Sequence, residues 1–267
     1  MTSSVVRFRQ LPTALFRAFD EQAQGILREY TLACMGRSPQ PFELEDVGRA
    51  QAAETAVADA VARSDSAERT AVDVTYDLAG TDPADFSLLQ GVLDHANRLA
   101  REGQLLVVPV LPEIAVLRNW LCDQVTAQVL GAEPTPWTPI TAALEDPWLP
   151  AVTWAGTAGL PADEAWLVGD GANRIIGATS AALDLLGWVG SELVGQRIVV
   201  VIPAALRESH VAAFTRAVVT GNHKILDQPL SLSAHTRDGR DVPVTLTLTE
   251  RPAAGGRSVF LAHLVPR

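Results

Sequence analysis

Apolar side chains recur every three or four residues in four stretches of the first 132 residues. The stretches run from residue 13 to 35, from about 43 to 69, from 82 to 103 and from 112 to 131. Side chains with this spacing lie on one face of a helix, and that face must be buried against a neighbour. The pattern therefore predicts four helices packed into a mainly helical domain.

One short stretch of this part alternates between apolar and polar side chains instead. Residues 71–77 read Ala-Val-Asp-Val-Thr-Tyr-Asp. A period of two is typical of a half-buried strand. We therefore predict a strand here, with an extended connector as the alternative.

Proline and tryptophan dominate the stretch from residue 133 to residue 161. Five prolines lie between Glu133 and Pro161, together with Trp137, Trp148 and Trp154. Proline fixes φ and removes a backbone donor, so regular structure is not expected. Three indole rings carry too much apolar area for a free linker. We predict a segment that is docked on one or both of the domains it joins.

From residue 162 onwards the pattern changes to short strands and helices. Two apolar runs flank Asp170-Gly171, a residue pair that favours a hairpin turn. A short helix is predicted from Ser180 to Trp188, and a longer helix ends at Thr220-Gly221. Three alternating runs separated by turn residues follow, and they predict an antiparallel meander.

This order of strand, strand, helices and three-stranded meander resembles a PAS domain. The resemblance covers residues 164–265 and depends on the order and spacing of the elements together. It implies a five-stranded antiparallel sheet curled around a few short helices. We therefore predict an α+β chain with a mainly helical domain at residues 1–132, a docked linker at 133–161 and a PAS domain at 162–267.

One residue departs from the family pattern. Many PAS domains have an asparagine just before the first helix, and the matching residue here is Thr179. Threonine can also cap a helix, so the fold is still expected. A role specific to that asparagine is not carried over.

The resemblance implies an interior that is either filled by side chains or occupied by a small ligand. Few polar groups are expected there to orient a polar metabolite. Filling by the chain itself and binding of a small apolar ligand are the two alternatives. His210 is expected to be a hydrogen-bonded packing residue. The residues expected to face the interior are Leu183, Leu186, Val200, Ile202, His210, Phe214, Leu230, Leu232, Val244, Leu246 and Leu261.

The cofactors of related sensors can be compared with the sequence. Flavin photosensors and thioester chromophores of this fold need a cysteine, and residues 134–267 contain none. Haem-binding members place a histidine near the end of the long helix. Here His223 stands one residue early, with Lys224 at the expected position, and one residue rotates a side chain by about 100°. We predict no cofactor, with haem as the alternative.

Metal binding and catalysis find no support in the residue pattern. His235 and His263 lie in separate predicted strands without acidic residues at metal-ligand spacing. The Gly169-Asp-Gly171 run lacks the third glycine of a dinucleotide fingerprint and leads into a strand. The acidic side chains of the second helix are expected to be mostly solvated. These are Glu43, Glu45, Asp46, Glu54 and Asp59.

The composition of the chain restricts the partners and the cellular location that we expect for it. The formal net charge is −10, and residues 1–160 supply all of it, with 11 basic and 21 acidic side chains. This charge disfavours binding to nucleic acid or an anionic membrane. No run approaches the roughly 18 apolar residues of a membrane span, so a cytoplasmic location is predicted.

Cys34 and Cys122 are expected to be buried as small apolar residues. One lysine among 21 basic residues indicates a GC-rich, actinobacterial genome.

We therefore predict a non-catalytic signalling protein that forms a homodimer. Its PAS domain would sense a small ligand or mediate dimerisation, and its helical domain would act on a separate signalling protein. Three alternatives stay open. They are a haem- or cofactor-binding sensor, a regulator of a kinase and phosphatase partner-switching pathway, and an enzyme whose helical domain uses acids such as Asp73 and Asp77.

Overall fold

The chain forms two compact units in the computed structural model. The first unit comprises residues up to Pro139 together with Val211–Val219, and the second comprises Ile140–His210 and Thr220–Arg267. The boundary after Pro139 falls inside the predicted 133–161 segment, whereas the grouping of residues 211–219 with the first unit was not predicted. The structure describes residues 5–36, 40–64, 69–146, 154–221, 225–253 and 258–267.

The first unit, which we call the helical unit, repeats the order strand, helix, helix. Strand β1 (Val5–Pro12) is followed by helices α1 (Thr13–Cys34) and α2 (Leu44–Arg63). Strand β2 (Ala71–Asp77) is followed by α3 (Ala84–Arg101) and α4 (Pro112–Val129). The two strands pair antiparallel. The four predicted helices and the predicted strand at residues 71–77 are confirmed.

Strand β1 is the element that the sequence analysis missed. Val6 and Phe8 are buried and lie opposite Tyr76 and Val74 of β2. The alternation breaks after Phe8, where the register of the pair shifts and Gln10 adopts a φ of 57°. This bulge leaves too short a run of period two for the pattern to predict a strand.

The helices bury the apolar stripes that the periodicity predicts. Leu15, Phe19 and Ile26 of α1 are each at most 5% exposed, and so are Phe86 and Leu93 of α3. Within the described residues, no helix is long and apolar enough to cross a membrane.

The start of the Pro/Trp segment packs on the helical unit. The Trp137 ring lies edge-on to Trp120, with centroids 5.4 Å apart, and its backbone N–H donates to the Arg9 carbonyl at 2.9 Å. Trp120 also contacts Phe8, at 5.9 Å between centroids. An aromatic cluster therefore holds residue 137 on this unit.

One cysteine and one glutamate differ from their predicted environments. Cys122 is buried as predicted, whereas Cys34 is only half-buried and donates to the Phe42 carbonyl at 3.5 Å. Glu54 was expected on a solvated face, but it is 2% exposed. The reason is its spacing, because Glu54 lies four residues after Ala50 and three before Val57 on the inward face of α2.

Burial changes the protonation of Glu54. Desolvation raises the pKa of this carboxyl to about 9, and the neighbouring Asp20 raises it in the same direction. Glu54 is therefore protonated at neutral pH. It is a neutral polar group at the α1–α2 contact, and it becomes a buried charge only in alkaline solution.

The second unit is a five-stranded antiparallel sheet with helices against one face. Its elements are β3 (Ala165–Asp170), β4 (Ile175–Ala178), α5 (Ser180–Leu186), α6 (Gly190–Leu193), β5 (Leu230–His235), β6 (Asp241–Pro252) and β7 (Ser258–Pro266), with 3-10 turns at Ala155–Gly159, Ile198–Val201 and Ala204–Leu206. Helix α7 (Arg207–Thr220) begins and ends in this unit, whereas its residues 211–219 group with the helical unit. The strand order is β4-β3-β7-β6-β5, and all neighbouring strands pair antiparallel. The predicted α+β fold class is confirmed.

The predicted hairpin at Asp170-Gly171 is confirmed, and its turn is closed by a side chain. Asp170 Oδ1 accepts hydrogen bonds from the backbone N–H groups of Ala172 and Arg174, both at 2.9 Å. Asn173 completes the turn with a φ of 61°, which asparagine tolerates better than most residues. The Asp170 carboxylate occupies the donors that a phosphate would need, so this loop serves a turn.

We predict that Glu54→Gln stabilises the helical unit at pH 8 by about 4 kcal/mol and changes its stability little at pH 4.5. The folded unit holds a proton that the unfolded chain releases above the ordinary carboxyl pKa of 4.5. The wild-type unit therefore loses stability as the pH rises from about 4.5 towards 9, and glutamine removes this loss. Urea denaturation followed by hydrogen exchange in α1 and α2 measures the difference.

The matched control is Glu45→Gln, because Glu45 is an exposed glutamate on the same helix. Its effect should stay below about 0.5 kcal/mol and should not grow with pH. An equal effect of both substitutions, or a Glu54→Gln effect that does not depend on pH, would contradict the assignment of a buried protonated carboxyl.

Candidate functional site

One face of the sheet and the short helices enclose an aliphatic cluster, which we call the inner cluster. Strand residues such as Leu167 and Val244 meet helix residues such as Leu186 and Leu193 in it. Six predicted interior residues belong to it. Leu186 and Val244 are fully buried members, and Leu183, Val200, Leu232 and Leu246 are partly buried against it.

The other predicted interior residues lie elsewhere. Leu261 was predicted to face the interior, but it packs on the opposite face of the sheet. Side chains alternate across a strand, and Ala262 and Leu264 take the inner positions of β7. Ile202 and Leu230 are half-buried outside the inner cluster, and Phe214 is half-buried in the part of α7 that groups with the helical unit.

The opposite face of the sheet carries a second cluster, which we call the outer cluster. Val168, Ile176, Val259 and Leu261 are its buried members, and Trp154, Leu160 and Trp166 pack against them. The part of the Pro/Trp segment that carries Trp154 therefore lies on this face. Trp148, a further tryptophan of that segment, lies outside the described residues.

An aromatic and acidic group lies at the edge of the outer cluster. The rings of Trp166 and His263 stack at 4.3 Å with an angle of 14° between their planes. Glu164 accepts a hydrogen bond from Trp166 Nε1 at 3.0 Å and lies 3.5 Å from His263 Nε2. Sequence reasoning missed this group, although Trp166 and His263 are direct cross-strand partners. Only the register of the β3–β7 pair could have revealed it.

His210 belongs to a polar cluster beside the inner cluster. Its Nε2 lies 3.0 Å from the side-chain amide of Asn173, which is fully buried. Burial, with the charge of Arg197 as the smaller cause, lowers the pKa of His210 to about 4. The ring is therefore neutral at physiological pH and can accept the amide N–H. His210 is hydrogen-bonded, as expected, but the sequence did not predict Asn173 as its partner.

Thr179 links the first helix of the second unit, α5, to its first strand, β3, through side-chain hydrogen bonds. Its hydroxyl oxygen accepts from the backbone N–H of Ala182 at 3.4 Å and of Trp166 at 2.9 Å. The hydroxyl also donates to the Glu164 carbonyl at 2.6 Å. The predicted helix cap is confirmed, and it carries a second function in fixing the start of β3.

The connections between these elements decide the fold. β3 and β4 are followed by short helices, by α7 and by the β5–β7 meander, whose last strand returns to pair with β3. This sheet surrounds one interior cluster, as the resemblance implies. The C-terminal unit has a PAS fold. Within the PAS unit, the inner cluster, the outer cluster and the Asn173–His210 pair are the candidate functional features.

Comparisons with known proteins give structural likenesses but no family. No protein-family model matches this chain, and no curated protein matches it. A PAS domain from Desulfitobacterium hafniense is 17% identical, with a TM-score of 0.33, and the match covers 39% of this chain and 93% of that one. The PAS domain of the fruit-fly ELK potassium channel is 12% identical, with a TM-score of 0.34, and the match covers 42% of this chain and 92% of that one.

A third similar structure is the PAS domain of an HTR-like protein from Haloarcula marismortui. It is 19% identical, has a TM-score of 0.30 and covers 39% of this chain and 81% of that one. Because these TM-scores lie below 0.5, the fold assignment depends on the strand order and connections of this chain itself.

The described residues give a test of metal binding, but they do not include the histidine on which haem binding would depend. Among the described residues, no group of three or more histidine, cysteine or acidic side chains could hold a metal ion. His235 pairs with Asp241 at 2.7 Å, away from the stack at His263. His223 and Lys224, on which the haem alternative depends, lie outside the described residues.

We predict that Thr179→Val destabilises the PAS unit by about 2 kcal/mol, because valine keeps the shape but leaves two backbone N–H groups and one carbonyl without their partner. Urea denaturation followed by hydrogen exchange in β3 and α5 measures the loss. Thr179→Ser keeps the hydroxyl and should lose less than half as much. Equal losses in the two variants would show that the methyl group matters and the hydrogen bonds do not.

Proposed function

We propose that this chain is a non-catalytic signalling protein in which the PAS unit senses a signal and the helical unit relays it to a separate effector protein. The observation that carries this proposal is the PAS unit's aliphatic interior, where Ile175, Leu186 and Val244 are completely buried. Such an interior offers few polar groups to bind and orient a substrate. A change in the packing of these aliphatic side chains would shift the strands of the sheet that carry them.

The acids on which the enzyme alternative depends support a structural role better than a catalytic one. Asp73 accepts the backbone N–H of Gln10 at 2.8 Å, and Asp77 accepts that of Ala79 at 3.0 Å. A cavity in the helical unit, lined by Gln22, Leu93 and Arg118 among others, has a volume of about 10 Å³. A volume of this size holds about one water molecule. These observations favour binding and conformational change over chemistry.

We propose further that the chain acts as a homodimer through the outer face of the PAS sheet. The stacked His263 side chain is 27% exposed, and Val265, further along β7, is 45% exposed. Trp166 is half-buried beside them. A partly covered strip of aromatic and aliphatic side chains is typical of the centre of a protein interface. A second copy would bury this strip.

The charge of the chain indicates the kind of effector. The whole net charge of −10 comes from residues 1–160, which include the helical unit up to Pro139. Complementary charge speeds association and excludes unsuitable partners. We propose a cytoplasmic effector with a basic docking surface, and a partner-switching kinase or phosphatase is one class that would fit.

We predict that light scattering of the full chain shows a homodimer at micromolar concentrations, and that Trp166→Ala raises its dissociation constant at least about 10-fold. The matched control is Val189→Ala, because Val189 is a 56% exposed apolar residue of the same unit outside the outer cluster. It should leave the dissociation constant unchanged. A monomer at all concentrations, or a Trp166→Ala variant that is folded by near-UV circular dichroism and dimerises normally, would contradict the proposed interface.

A further inference from the structure

Residues 140–146 are the first residues of the PAS unit, and they form neither a helix nor a strand. Side chains of the unit form hydrogen bonds with their backbone. Arg207 donates to the carbonyl of Thr141, and Arg174 donates to that of Asp146. Arg197 Nη1 donates to the carbonyl of Leu144 at 3.0 Å. In each of these contacts an arginine side chain binds a backbone carbonyl of the segment.

A fourth contact holds the beginning of the segment. The backbone N–H of Ile140 donates to Glu208 Oε1 at 2.7 Å. Hydrogen bonds with one charged partner are stronger than neutral ones. The segment is therefore held near both of its ends and at two points between them.

The arginines belong to the PAS unit independently of the segment. Arg207 Nε donates to the carbonyls of Val199 at 3.0 Å and Ile202 at 3.2 Å, in and beside the 3-10 turn. Arg174 Nη1 donates to the Gly195 carbonyl at 3.3 Å. Arg197 is 4% exposed and Arg207 is 8% exposed. Arg174 and Arg207 thus keep contacts within the PAS unit that do not involve the segment.

Apolar burial contributes little to this docking. Asp146 is the buried member of the segment, at 5% exposure, and Ile140, Ala143 and Leu144 are only half-buried. Thr141, Ala142 and Glu145 are exposed. A segment with few buried apolar contacts opens at a lower free energy than the core of its domain. The docking of residues 140–146 is therefore a separate, local equilibrium.

We propose that residues 140–146 form a releasable strap, bound through its main chain in an arginine groove made by Arg174, Arg197 and Arg207. Docked, the strap covers the guanidinium groups and fixes the chain where it enters the PAS unit. Released, it leaves three positive side chains on one surface of the unit. This inference does not depend on the proposed homodimer.

Hydrogen exchange by mass spectrometry in the full chain tests the strap. In the wild type, peptides covering residues 140–146 should exchange at least about 10-fold faster than those covering β3 and β7. Glu208→Ala removes the acceptor for Ile140 N–H and should speed exchange of the Ile140 amide about 10-fold more. Exchange in β3 and β7 should stay unchanged.

Two variants serve as controls. Leu144→Ala removes a half-buried side chain but keeps the carbonyl that Arg197 holds, so strap exchange should change by less than about 2-fold. Glu192→Ala removes a glutamate that pairs with Arg237 in the same unit and should leave the strap unchanged.

Two results would contradict the proposal that residues 140–146 form a releasable strap. The first is wild-type exchange at residues 140–146 as slow as in β3 and β7, which needs no variant and shows that the segment opens only with the fold. The second is an effect of Leu144→Ala equal to that of Glu208→Ala, which would show that side-chain packing, and not main-chain recognition, holds the segment.

Discussion

The pairing of β3 with β7 is the interaction on which the PAS unit depends. It joins the first strand of the sheet to the last, with Ala165 to Asp170 opposite Leu264 to Val259. Without it, the β3–β4 hairpin and the β5–β7 meander would be two separate small sheets. The β3–β4 hairpin alone would be marginally stable in water, because an isolated two-stranded hairpin buries little apolar surface. Closing this pair costs loop entropy, and the burial of both clusters offsets that cost.

The same pair connects the two faces of the sheet. Along β3, Leu167 points into the inner cluster and its neighbour Val168 into the outer cluster. Along β7, Leu264 and Leu261 divide in the same way. A change in the packing of one cluster therefore shifts strands that also form the other. This coupling is the physical basis on which we propose that the PAS unit relays a signal.

Much of this architecture could be predicted from the sequence because its signals are local. Helical stripes, a turn closed by aspartate and a threonine cap depend on residues close together in the chain. The face on which Leu261 lies could not be predicted, because the run Val-Phe-Leu-Ala-His-Leu-Val is apolar at both parities. Glu54 follows the apolar period of its helix, but its charge suggested solvent. In this case the spacing was the better guide.

The contacts of the arginine groove and of the Asn173–His210 pair follow no sequence pattern. Arg174, Arg197 and Arg207 bind backbone carbonyls, which every residue possesses. The Asn173–His210 pair joins a turn to a helix that is distant in the chain. Such contacts depend on how the strands and helices are arranged in space, and a single sequence does not reveal that arrangement.

A crystal structure of the full chain, purified under native conditions, would show by its electron density whether side chains fill the interior of the PAS unit. We expect Leu186, Leu193 and Val244 to fill the interior with continuous side-chain density. Density for haem or another small molecule among these residues would contradict this expectation, because the unit would then respond to a bound ligand and not to a change in its own packing.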